Sequence, residues 1–126
     1  MGRVLTLELL DEIQDGFNRH DVDAILSHFA EDCEWLMAGG PTPPEGRRCV
    51  GKAEIGQVLR DRYVDIPDMR WEDMQHWIGD GERAVSEWTV CGTPRSGEPF
   101  AWLGCDLWRF RNGYVVRKDT YWKFAR

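Results

Sequence analysis

Two carboxylates and one imidazole stand among neighbours that suit acid–base chemistry. Asp106 lies two residues before Trp108 and four before Phe110 in the stretch GCDLWRFRNGYVVRKDTYWK, Gly104 to Lys123. Read as a strand, this spacing puts the three side chains on one face. A carboxyl on an aromatic face must find a partner, meet water or take up a proton. Desolvation there would raise its pKa, and the protonated form would donate to a developing oxyanion or act as a general acid. The plainer alternative is a structural Asp106 paired with Arg109, Arg117 or Lys118. Asp119 shares strand parity with Arg117 and Tyr121. It suits a general base that removes a proton alpha to a carbonyl, or an exposed cross-strand salt bridge of little worth. His76, in Met74-Gln75-His76-Trp77, titrates in the right range for acid–base work, or is structural. These give Asp106, Asp119 and His76 as the catalytic candidates. Lys118 is set aside as an imine-forming amine, because its parity opposes Asp119 and nothing in the sequence points to a depressed pKa.

The chain holds seven tryptophans in 126 residues. Indoles bury large areas and line pockets well. Trp35, Tyr63, Trp88, Trp108 and Tyr121 are the expected lining of a ligand pocket; core packing or a dimer interface is the alternative. Glu87 opposes Trp88 in parity, so with Trp88 inside it would face out, toward a dimer contact.

Composition excludes several classes. The formal net charge of −6 argues against nucleic-acid binding, which needs a basic surface. Cys33, Cys49, Cys91 and Cys105 lack close metal-ligand spacing with each other or with His20, His28 and His76, so no metal is expected. The Gly39-Gly40 and Gly51 positions resemble no phosphate loop, and no cofactor is expected. No 18-residue apolar run occurs, so no membrane span is expected. The N-terminal MGRVLTLELLDEI has no signal-type apolar run, and reduced thiols fit a cytoplasmic protein.

These residues need elements to position them. Leu9, Leu10, Ile13 and Phe17 form a helical face, broken by Asn18 to Asp21. Asp21 can cap a second helix with Val22, Ile25, Leu26 and Phe29 on its apolar side. CEWLMA reads as a short strand and GGPTPPEG as a loop. A third helix starts near Lys52, with Ile55, Val58, Leu59 and Tyr63 on one side. Extended segments follow over Met69–Ile78, Glu82–Thr93, Phe100–Phe110 and Tyr114–Phe124. Gly79-Asp80-Gly81 and Asn112-Gly113 are turn signals. Helices first and long antiparallel strands last predict a single α+β domain over residues 1–126. Leu103, Cys105 and Leu107 make the second strand face apolar as well, which predicts a sheet-to-sheet homodimer.

The segments FNRHDVDAILSHFAEDCEW, VGKAEIGQVLRDRY, AVSEWTVCGT and GCDLWRFRNGYVVRKDTYW resemble the nuclear transport factor 2 superfamily, and most closely its SnoaL-like and ketosteroid isomerase-like branches. The resemblance implies N-terminal helices packed on a strongly curved, mainly antiparallel sheet that forms a cone-shaped cavity. Asp106-Leu107-Trp108-Arg109-Phe110 is similar to the ketosteroid isomerase pattern in which a protonated Asp donates to the substrate oxyanion, an enzyme that is itself the standard example of a carboxyl kept neutral. That family's first-helix Tyr would fall near Ile13 and its general base near Met37, and neither residue type is present. The Arg-x-Asp pair of limonene-epoxide-hydrolase-like enzymes would fall on Trp88-Thr89-Val90 and is absent. Asp119 or Asp106 would supply the late-strand acid of a SnoaL-like cyclase. The implied function is a cofactor-independent acid–base enzyme acting on a small hydrophobic carbonyl compound, by isomerisation, cyclisation or dehydration. The alternative is a non-catalytic module that binds a hydrophobic ligand or dimerises.

Overall fold

The computed structural model describes residues 3–39 and 46–123. Helix α1 (Leu7–Asn18) opens where the Thr6 hydroxyl accepts from the Leu9 N–H, and it buries Leu9, Leu10, Ile13, Gln14 and Phe17. A short α2 (Val22–Leu26) begins at Asp21, whose carboxylate accepts from the Ala24 N–H. Both caps satisfy donors that the first helical turn leaves free. Then come β1 (Phe29–Met37), β2 (Arg47–Val50), α3 (Lys52–Asp65), β3 (Arg70–Ile78), β4 (Arg83–Gly92), β5 (Phe100–Arg111) and β6 (Tyr114–Trp122).

The strands form one curved six-stranded sheet in the order β2-β1-β6-β5-β4-β3. Neighbours run antiparallel except β1 and β6, which run parallel. Asn112 and Gly113 both take positive φ, at 54° and 77°. Two successive positive φ values match the right-handed twist of the strands that the turn joins, β5 and β6. Helix α1 packs on β3 and α3 packs on β1 and β2, so the helices cover one face of the sheet. Among the described residues, no helix is long and apolar enough to cross a membrane.

Two elements differ from the sequence reading. Strand β1 starts at Phe29, not at Cys33: the exposed Glu31-Asp32 pair falls within the strand, where the register between Phe29 and Glu34 is irregular. Strand β2 has no period-2 signal at all, since Cys49 is its one buried residue. Residues 40–45 of the expected loop, and Phe124 at the end of the expected last strand, lie outside the described residues.

Strand parity decides which face each candidate meets. On β5, Asp106, Trp108 and Phe110 turn toward the helices and are buried, while Leu103 and Leu107 turn outward and are exposed.

Candidate functional site

The cross-strand register builds a polar stripe on the helix-covered face. Thr120 of β6 stands opposite Asp106 of β5, which stands opposite Ser86 of β4, which stands opposite His76 of β3. The row on one side is Trp35, Lys118, Trp108 and Ala84. On the other side Trp122, Gly104 and Trp88 make a third row. Polar groups on four strands are thus enclosed between two rows rich in indole.

Asp106 is saturated with donors. Its Oδ1 accepts from the Thr120 hydroxyl at 2.6 Å and from Lys118 Nζ at 3.0 Å. Its Oδ2 accepts from Trp88 Nε1 at 2.9 Å and, at a long 3.5 Å, from the Gln14 amide of α1. The carboxyl is therefore not left against bare aromatic rings, as its strand context suggested. Of the three cations considered as partners, Lys118 is the one that reaches it; Arg109 and Arg117 carry the opposite parity.

Lys118 is the group that the sequence reading passed over. It is 3 % exposed and also donates to Thr120 Oγ1 at 3.0 Å. Thr120 Oγ1 in turn accepts from Trp35 Nε1 at 2.9 Å. The ammonium lies 4.4 Å from the ring centre of Trp35, 5.1 Å from Phe17 and 5.5 Å from Trp108. Burial pushes its pKa down, with Asp106 opposing the shift. Two of its three N–H bonds have oxygen partners, and the third has none among the described residues and is left to the aromatic rings around it. The legible signal was its parity, which matches Thr120 and opposes Asp119.

His76 joins the stripe through Ser86, with its Nδ1 2.7 Å from the Ser86 hydroxyl. Trp108 Nε1 donates to the same hydroxyl at 2.8 Å. Asp11 of α1 lies 3.1 Å from His76 Nε2, off the line of an aligned hydrogen bond. Burial lowers the His76 pKa, with Asp11 as the largest opposing influence. Gln14, Asp11 and Ser86 are further members of the site; no motif marked them, since contact between α1 and the strands brings them in.

The other candidates divide. Trp35, Trp88 and Trp108 are each 2 % exposed and pack around the Lys118–Asp106 pair. Tyr63 is buried, donates to the Phe17 carbonyl at 3.0 Å, and has its pKa raised by burial. Asp119 and Tyr121 face the opposite side of the sheet. Asp119 meets Arg117 at 3.7 Å and accepts from the Tyr121 hydroxyl at 3.4 Å. Asp119 therefore does not share a substrate with Asp106, and Tyr121 does not line the cone, because alternation separates them from the inward Lys118 and Thr120. Tyr121 instead borders an outer groove of about 670 Å³ with Glu87, Leu103 and Cys105. His20 stacks on Tyr63 at 3.9 Å and bonds the Met69 carbonyl, while His28 is buried against Arg3, so both tie elements together.

Burial of Asp106 and Lys118 leaves water no room beside them, so the interior is packed at the stripe, where an open cavity was expected. Further along β5 and β6 the inward side chains are Trp122, Trp102 and Phe100. Trp102 and Phe100 are 4.5 Å apart between ring centres, and Trp102 and Trp122 are 5.3 Å apart. These three are only partly buried. Among the described residues, no three His, Cys, Asp or Glu side chains are grouped to hold a metal.

Comparison with known proteins agrees with this architecture. The family model of the SnoaL-like domain matches residues 10–118. A candidate polyketide cyclase from Xanthomonas campestris superposes with a TM-score of 0.80 at 22% identity, over 92% of this chain and 88% of that one. A SnoaL-like protein of unknown function from Burkholderia thailandensis gives 0.72 at 25% identity, over 95% and 99%. A protein of ketosteroid isomerase-like fold from Catenulispora acidiphila, in complex with trimethylamine, gives 0.81 at 16% identity, over 95% and 88%. No curated protein matches the chain.

Proposed function

The chain belongs to the SnoaL-like family, and from that premise we propose that it is a cofactor-independent acid–base enzyme acting on a small hydrophobic carbonyl compound. The observation that carries this reading is the Lys118 ammonium, held by Asp106 and Thr120 inside an aromatic shell, with one N–H that has no oxygen partner among the described residues. A low-dielectric site makes such a donor strong toward a developing enolate oxygen, and its lowered pKa brings proton exchange toward neutral pH. Asp106 keeps the ammonium oriented and balances its charge. His76, whose pKa burial lowers, is the proton acceptor of the same stripe. Substrate enters past Phe100, Trp102 and Trp122, which must part to admit it. Isomerisation, aldol-type cyclisation and dehydration all need this one step, removal of a proton alpha to a carbonyl.

The test follows alpha-proton exchange into apolar ketones and enones in deuterated water by NMR. Wild type should accelerate exchange, and the double variant Asp106→Asn/Lys118→Met, which removes both charges together, should fall to the buffer rate while retaining its circular dichroism. The full enclosure of the pair favours a second reading, a ligand-binding module with a structural ion pair. Ketones that raise the melting temperature of wild type without any accelerated exchange would establish that reading instead.

We also propose that the outer sheet face pairs two copies of the chain. Exposed Leu103, Leu107 and Tyr121 beside the groove support it. Light scattering at working concentration tests it, and a monomer mass would end it.

A further inference from the structure

One inward cation has no part in the acid–base reading. Arg62, near the end of α3, holds its guanidinium 5.3 Å from the ring centre of Trp35 and 5.6 Å from that of Trp122. Among the described residues that guanidinium has neither a carboxylate partner nor a side-chain hydrogen bond. Other described cations without a carboxylate are exposed, as are Arg47, Arg83, Arg95, Arg109 and Lys123, or are bonded otherwise, as Arg3 is to His28 and the Gly113 carbonyl. Arg62 is partly buried, and burial lowers its pKa, with Arg47 adding to the effect. It also acts on Lys118. Positive charge is therefore gathered beside Trp35 and Trp122 in a protein whose net charge is −6. A guanidinium offers five N–H donors in a planar fork that matches a carboxylate, and part of its hydration has been removed with no anion among the described residues to offset the loss.

We propose that Arg62 anchors the carboxylate of a flat apolar acid, whose ring lies along Trp122, Trp102 and Phe100 and whose far end points toward Lys118. This rests on the pocket proposed above and narrows its ligand from a hydrophobic carbonyl compound to one that also carries a carboxylate. Trp35 fits the placement, because its one indole lies 4.4 Å from the Lys118 ammonium and 5.3 Å from the Arg62 guanidinium. The two cations differ in one respect: Lys118 has Asp106, and Arg62 has no carboxylate among the described residues.

The test titrates 1-naphthoate and the uncharged 1-naphthalenemethanol into the full chain and follows tryptophan fluorescence. Wild type should bind naphthoate at least about tenfold more tightly than the alcohol, as charge-assisted pairing requires. Arg62→Met should remove that preference while leaving alcohol affinity in place, and Arg62→Lys should keep part of it. Equal affinities in wild type, or a preference that survives Arg62→Met, would overturn the assignment. The wild-type comparison decides even if a variant fails to fold. Alcohol binding without preference would defeat the anion site alone; binding of neither compound would defeat the pocket as well.

Discussion

The two faces of the same strands solve different problems. On the inner face, Asp106 is 1 % exposed and every oxygen of its carboxyl is engaged by donors from β4, β6 and α1. On the outer face, Asp119 has a longer contact with Arg117 and a weak one with Tyr121, beside exposed Leu107. The two acids come from one hairpin and differ by strand parity. The inner one is fixed by an interior that would be costly to leave unpaired. The outer one is only part-exposed, and its contacts are long ones beside a half-exposed arginine, where a salt bridge contributes little.

The sharpest way to break this contrast is Asp106→Ala. It leaves the Lys118 ammonium buried without its counter-charge, and a loss of about 3–5 kcal/mol is expected in urea unfolding. Asp106→Leu combined with Lys118→Met should lose clearly less than the sum of the single changes, since no lone charge remains. Gly104→Ala comes next. A Cβ there would stand 2.6 Å from the Trp88 ring and 2.6 Å from the Tyr121 carbonyl oxygen, closer than atoms pack. Overpacking of about 1–3 kcal/mol is expected from thermal or urea melts.

Acid should sharpen the contrast further. Burial holds the His76 and His28 pKa values below the ordinary histidine value. Between the folded value and about 6.5 the unfolded chain binds more protons, so stability rises with pH through that window and is lost as pH falls through it. His76→Gln should flatten this slope in melting temperatures recorded from pH 7 to pH 5; an unchanged slope would show that His76 does not contribute. The smallest effect is expected outside. Asp119→Asn should change unfolding stability by less than about 0.5 kcal/mol and leave proton exchange unaltered. A large loss of exchange in that variant would erase the distinction between the faces.

Much of the fold was legible because it is written locally. The Leu9–Phe17 periodicity, the Asp21 cap and the Asn112-Gly113 turn each report on residues within one or two turns of chain. Alternation through Asp106, Trp108 and Phe110 correctly indicated one buried face. Strand β2 was not legible, because a four-residue edge strand with one buried side chain has no periodicity to read. The site was legible only in part. Parity could show that Lys118 and Thr120 oppose Asp119, yet not that they lie against Asp106.

By itself, then, the sequence determined the α+β order, the turns and which residues share a strand face, because these depend on spacing along the chain. Only the tertiary structure decided that Asp106 pairs with Lys118, that Gln14 and Asp11 of α1 reach the stripe, and that Arg62 lies over Trp35 and Trp122 with no carboxylate among the described residues. Those facts depend on strand register and on helix placement over the sheet, where residues as far apart as Gln14 and Asp106 come within hydrogen-bonding range.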